Sequence, residues 1–216
     1  MYPLRPLFGL PGWGVPLSDF FSFSVVNRAR AGRSTRSFIN DGLWDAILNN
    51  ILTWSLTTTD HWALILQIEF GHDDAHPLRD GQGVLGTGNE TQTMYLTRMI
   101  DDVRSRNCTP ILSSMTPRLK FVNNAQVIGT PFVEWAKDVA NATETPFVDH
   151  NLFTAQMYTQ MGLKNTMTLF APGDSTHTDA AGAVVVAEMF LRGLVCDGQA
   201  EELIAGLSPR GAAVTC

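Results

Sequence analysis

Residues 61–70 read His-Trp-Ala-Leu-Ile-Leu-Gln-Ile-Glu-Phe, a run that is apolar almost without interruption. A half-buried strand alternates apolar and polar residues. A run without a polar face must be covered on both sides, as strands are in parallel sheets clothed by helices. This stretch narrows the fold to an α/β layer structure, and its surroundings agree. Residues 41–54 set Trp44, Ile47, Leu48, Ile51 and Leu52 at helical spacing behind Asp41. Residues 94–106 do so with Met94, Leu96, Met99, Ile100 and Val103, and residues 130–142 with Phe132, Val133, Trp135, Ala136 and Val139. Residues 17–23, 152–161 and 180–195 also read as helical, and residues 23–29, 110–115 and 146–149 as strands. Strands alternating with helices predict a doubly wound parallel sheet in one domain, residues 1–216. Three prolines and three glycines in residues 1–14 are turn chemistry, and residues 76–92 form a polar loop with four glycines.

In such sheets the site lies beyond the carboxyl ends of the strands. That points to the loops at residues 32–37, 71–74, 116–118 and 173–178. The last carries Asp174 and His177, three residues apart before a helix. A carboxylate at one imidazole nitrogen fixes the tautomer and leaves the other nitrogen as a general base. Asp and Thr at that place also suit helix capping. His72, Asp73, Asp74 and His76 offer a metal-ligand set, but four groups on one loop lack the usual ligand geometry.

The net charge of −6 supplies no basic face for nucleic acid, and no stretch is long and apolar enough to cross a membrane. A bridge between Cys196 and Cys216 would tie the tail to the last helix, leaving Cys108 without an obvious mate. With sequons at Asn89, Asn107 and Asn141, it leans towards an extracellular protein, although residues 1–8 are not a signal peptide.

The four loops, in order, resemble blocks of the SGNH (GDSL-type) hydrolases, and within them the fungal rhamnogalacturonan acetylesterases. "VVNRARAGRSTRSF" resembles the second block, with Gly32 at the glycine whose N–H helps form the oxyanion hole. "IEFGHDDA" resembles the third, and "DSTHTDAAGAVVVAEMFL" the last, in which the Asp and His of D-x-x-H complete a triad. "ILSSMTPR" and "FVEWAKDVA" match the fourth strand and the following helix, and the likeness runs over about residues 12–216, including Cys196 and Cys216. The resemblance implies a flavodoxin-like α/β/α fold and carbohydrate O-acetylesterase chemistry on an acetylated polysaccharide such as pectin, with no metal or organic cofactor. His177 would be the base, Asp174 its orienting partner, and Gly32 an oxyanion donor. Arg33, Arg36 and Arg118 are candidates to meet uronate carboxylates; solvation at the surface is their simpler role.

Two departures stand beside the match. The family opens with a strand ending in Gly-Asp-Ser, followed by a Gly-Trp-Gly segment; here Gly12-Trp13-Gly14 lies almost at the start and the nucleophile block is not in the chain. Gly173-Asp174-Ser175 spells the same letters, but its Asp is already assigned and no histidine follows His177, so Ser175 reads as a turn or capping hydroxyl. The family's first strand lies centrally, between the strands ending near Ala29 and Phe70, and its loss leaves two unpaired edges. The expectation is an incomplete esterase chain, with a non-catalytic carbohydrate-binding or degenerate paralogue as the alternative. Asp73, moreover, stands where the family has Asn, and only a protonated Asp could donate to an oxyanion.

Overall fold

A computed structural model describes residues 10, 12–57, 65–75 and 89–216. A 3-10 helix, Pro16–Phe20, leads into an irregular segment. Helix α1, Thr35–Asn40, starts at a capping box: Ser34 Oγ accepts the Ser37 N–H and Ser37 Oγ accepts the Ser34 N–H. Helix α2, Leu43–Thr57, follows at once. Asp41 therefore ends the first helix instead of opening the second, and the expected loop over residues 31–37 stops at Ser34. The order continues with β1 (Ile65–Glu69), α3 (Asn89–Arg104), β2 (Thr109–Ser113), the short pair β3 (Phe121–Val122) and β4 (Ala125–Gln126), and α4 (Pro131–Ala142). It closes with β5 (Phe147–Val148), α5 (His150–Met167), α6 (Ala180–Asp197), α7 (Glu201–Ala205) and α8 (Pro209–Ala212).

The expected elements are present with shifted ends. α3 starts at Asn89, inside the stretch read as a loop, and Met94 points outward at 57% exposure. α5 runs past residue 161 through Gly162, whose φ of 74° and ψ of 159° interrupt the helix. The β3–β4 hairpin and the two short helices after Gly198 were not expected. Residues 61–64 and 76–88, including His76, lie outside the described residues.

Strands β1, β2 and β5 pair in parallel, in that order, with Ile65 opposite Thr109, Glu69 opposite Ser113 and Leu112 opposite Phe147. Side chains alternate across the sheet. Ile68, Leu112 and Phe147 pack on Trp44 and Leu48 of α2, Met99 and Ile100 of α3 and Val139 of α4. Ile111 and Val148 pack on Phe190, Leu191 and Leu194 of α6, with Leu203 of α7 and Phe20 behind. Helices thus cover both faces, and β2 is buried from Pro110 to Ser113. Each large apolar side chain buried in these layers contributes ~1.5–3 kcal/mol.

β1 differs from β2 in having one strand neighbour among the described residues. Residues 23–29, expected as a strand, pair with none. Phe23 and Val25 still lean on the α6 layer, while Val26 is 50% exposed. An extended segment becomes a strand only when a partner satisfies its backbone groups. Between this segment and β1 lies an open groove of about 570 Å³, solvent at its mouth included. Its lining includes Ser24 and Val26 of the segment, Ile65 and Leu66 of β1, and Ile47 and Ile51 of α2.

Cys196 and Cys216 form a disulfide, and Arg192 donates to the Cys216 carbonyl, so the tail is fastened to α6. The sequence separation of 20 residues corresponds to about 3 kcal/mol of stabilisation in the chain-entropy account. Replacing both cysteines with Ser is expected to lower the unfolding free energy in urea by about that amount; an unchanged midpoint would show that the tail contributes nothing to the fold.

Candidate active site

Phe170 and Thr178 form an isolated antiparallel bridge, and the Ala171 N–H donates to the His177 carbonyl, closing a tight loop over residues 171–178. Inside it Asp174 Oδ1 accepts the N–H groups of Thr176 (2.7 Å) and His177 (2.9 Å). Its Oδ2 accepts from His177 Nδ1 at 2.8 Å. The capping of α6 falls to another residue, Asp179, whose side chain accepts the Gly182 N–H. Asp174 is therefore free of helix-end duty and serves the imidazole. Partial burial pushes its carboxyl up, but the N–H groups of His177 and Thr176 and the imidazole itself outweigh burial, and the net shift is down. The ionised carboxylate keeps the proton on Nδ1 and leaves the Nε2 lone pair available. Nε2 has no partner among the described residues, and the His177 side chain is 40% exposed against 26% for Asp174.

Three links stitch the four candidate loops together in chain order. At the start of α1 the Thr35 N–H and hydroxyl both donate to the buried Asp74 carboxylate, the hydroxyl at 2.6 Å. From the same loop His72 Nε2 donates to the Thr116 carbonyl at 2.7 Å, and burial lowers the imidazole's pKa, so the ring is neutral. The Leu119 N–H then donates to the Ser175 carbonyl at 2.8 Å. The loops after β1 and β2 are thus bonded to the α1 start on one side and to the Asp174–His177 turn on the other. Gly71 is required where the first of them leaves β1: its φ is 153°, and a Cβ there would run into Met115 Sδ.

The remaining candidates divide. Gly32 has a φ of 69°, and its N–H has no acceptor among the described residues. Arg33 is held in an ion pair with Asp41 at 2.6 Å, which turns its charge away from a ligand. Arg36 is half-buried without an ionic partner among the described residues. Arg118 is exposed and acts electrostatically on His72. Of the metal-ligand alternative, His72 and Asp74 are engaged by Thr116 and Thr35, and His76 lies outside the described residues. Ser175 is exposed and its carbonyl holds Leu119.

Several residues that shape the site were not singled out from sequence. Gln126, on β4, accepts the Lys120 N–H and donates to the Arg118 carbonyl, clamping that loop. Asn123 and Asn124, both at positive φ, form the turn that puts it there; an Asn-Asn pair between two short apolar stretches was the available signal. Glu69, half-buried at the end of β1 within the third block, and the fully buried His150 are two more.

The site loops lie at the carboxyl ends of parallel strands, with an Asp-x-x-His turn before α6, as the resemblance to the SGNH hydrolases implies. No family model matches the chain. It is 32% identical over 213 residues to a rhamnogalacturonan acetylesterase of Emericella nidulans, covering 88% of this chain and 81% of that protein. It is 28% identical over 203 residues to rhamnogalacturonan acetylesterase RhgT of Bacillus subtilis, covering 86% and 81%. Among solved structures, YxiM of Bacillus subtilis superposes with a TM-score of 0.75 at 23% identity, over 91% of this chain and 52% of that one. The acetylxylan esterase Axe2 of Geobacillus stearothermophilus does so at 0.56 and 15%, over 85% and 81%; both likenesses bear on the fold. The chain belongs to the rhamnogalacturonan acetylesterase family of SGNH hydrolases.

Burial raises the Asp74 carboxyl to about 6, against the bonds from Thr35. Between about 4 and 6 the folded chain then binds more protons than the unfolded one, so stability declines as pH rises through that window and is level above it. The stability difference between wild type and Asp74→Asn, from urea unfolding at pH 4 and pH 7, should shrink by up to about 3 kcal/mol at the higher pH. A pH-independent difference would remove the assignment.

Proposed function

We propose that the chain carries the base and orienting half of a serine acetylesterase acting on O-acetyl groups of an acidic polysaccharide such as rhamnogalacturonan. The observation that carries this reading is the Asp174–His177 pair, bonded at 2.8 Å with Nε2 free at the carboxyl ends of the strands. In the proposed reaction His177 Nε2 takes the proton of a serine hydroxyl as it attacks the acetyl carbonyl. The resulting imidazolium is balanced by Asp174 and then returns the proton to the departing sugar oxygen. The Gly32 N–H faces the developing oxyanion. Arg36 and Arg118 are the guanidinium groups that would meet uronate carboxylates; Arg33 is withdrawn by Asp41.

The serine is proposed to arrive on a strand seated in the groove beside β1, outside this sequence. The groove supports this, because it lies between β1 and the unpaired segment at residues 23–29. The disulfide supports an oxidising, extracellular setting, and no helix among the described residues is long and apolar enough to cross a membrane.

The test is to express the chain with an N-terminal extension, an apolar strand ending in Gly-Asp-Ser, and assay acetate release from acetylated rhamnogalacturonan. Activity is expected only with the extension, and His177→Ala in that protein should lower kcat by several orders of magnitude, towards roughly a millionfold. Undiminished activity in the His177 variant would sink the triad. Tight binding of the polymer by a folded extended chain without acetate release would favour the non-catalytic alternative. In the active extended chain, Asp73→Asn is expected to raise kcat, on the order of 100-fold, by restoring an amide donor to the oxyanion; an unchanged or lower rate would remove Asp73 from that place.

A further inference from the structure

His150, the first residue of α5, is completely buried, and both ring nitrogens face oxygen. Nε2 lies 2.9 Å from the Val186 carbonyl of α6, and Nδ1 lies 2.9 Å from Glu69 Oε2 at the end of β1. A carbonyl has no proton to give, so Nε2 carries one and donates it. That leaves the Nδ1 contact to be explained. A neutral ring with its proton on Nε2 would turn the Nδ1 lone pair against a lone pair of a carboxylate that is only 12% exposed.

The other neighbours of Glu69 decide where the missing proton sits. Gln67 Nε2 donates to Ser113 Oγ at 2.7 Å, and Ser113 Oγ donates onward to Glu69 Oε2 at 2.7 Å. Trp13 Nε1 donates to Oε1 at 3.2 Å. A carboxyl group receiving donors at both oxygens is held in its ionised form. We infer that His150 is an imidazolium paired with the Glu69 carboxylate, and that this largely buried, charge-balanced pair is a positioning device for the loop at residues 71–74. The inference does not depend on the esterase reading.

The pair joins segments far apart in sequence. Trp13 packs edge-on against the His150 ring with centroids 4.7 Å apart and stacks on Phe190 of α6 at 5.1 Å. Glu69 brings in β1, Ser113 brings in β2, and Val186 ties the ring to α6. The loop bearing His72, Asp73 and Asp74 begins two residues after Glu69, so the place where the carboxylate is fixed is the place from which that loop departs. Neither residue is hydrogen-bonded to Asp174 or His177.

The test is nitrogen-15 and carbon-13 NMR of the full chain at neutral pH, labelled at histidine and glutamate. His150 is expected to show two protonated ring nitrogens facing an ionised Glu69. A single proton on Nε2 beside an ionised Glu69 would overturn the pairing, as would a proton resident on Glu69. In Glu69→Gln the Nδ1 proton should vanish, and amide exchange at residues 71–74 should quicken at least tenfold while α4, on the other face of the sheet, is unchanged. Equal exchange at residues 71–74 would remove the positioning role. Should that variant not fold, Trp13→Phe deletes one donor to Glu69: it should retain the doubly protonated ring and loosen the same loop, and an unchanged loop would again count against positioning.

Discussion

Glu69 ends β1 with donors from Trp13, Ser113 and His150 converging on one carboxylate. Few side chains can do this: only an acid offers two acceptor oxygens, and only where every lone pair finds a donor is such a group tolerated in the interior. The consequence is geometric. β1 has strand support on one side among the described residues, yet its carboxyl end must present a loop to the site. Backbone pairing to β2 fixes the strand's height in the sheet; Glu69 fixes its end against α5, α6 and Trp13. The bonds from Asp74 to Thr35 and from His72 to Thr116 then carry that placement outward to the neighbouring loops.

What was legible in the sequence was whatever depends on local pattern. The apolar runs around Ile68 and Leu112 are strands because both faces are covered, and the periodicity of Phe132, Val133, Ala136 and Val139 names the buried face of α4. What failed depends on partners distant in sequence. Residues 23–29 have the composition of a strand, but backbone pairing is a property of two chains lying side by side, and no described segment meets them. The helix starts failed for the opposite reason. They rest on single side chains, such as Ser34 and Ser37, whose caps outrank the apolar spacing that follows.

Three aspartates at the site show how little residue type alone decides. Asp174 and Asp179 lie in one loop before one helix, and either could cap it. Asp179 reaches the Gly182 N–H, so Asp174 can turn both oxygens inward, one to backbone N–H groups and one to His177. Asp74, expected only as a possible ligand, is instead the buried anchor of its loop. The D-x-x-H spacing made the pairing with His177 readable, whereas nothing near Asp74 in sequence pointed to Thr35, 39 residues away.

The departure at Asp73 can be weighed through its neighbour. Asp74 is already forced by burial towards its neutral form, and the charge of Asp73 pushes it further in the same direction. An Asn at residue 73, as the family resemblance implies, would remove that repulsion and supply a donor at once. The Asp therefore acts against the ionised state in which Asp74 accepts from Thr35. The local structure answers with the bonds from Thr35, which favour the ionised Asp74 and keep the loop tied to α1. The anchor of this loop is Asp74, and its strand end is fixed by Glu69. Shape and proposed chemistry thus fall to different residues: Asp74 and Glu69 hold the loop, while Asp73 bears on an oxyanion only in the proposed reaction.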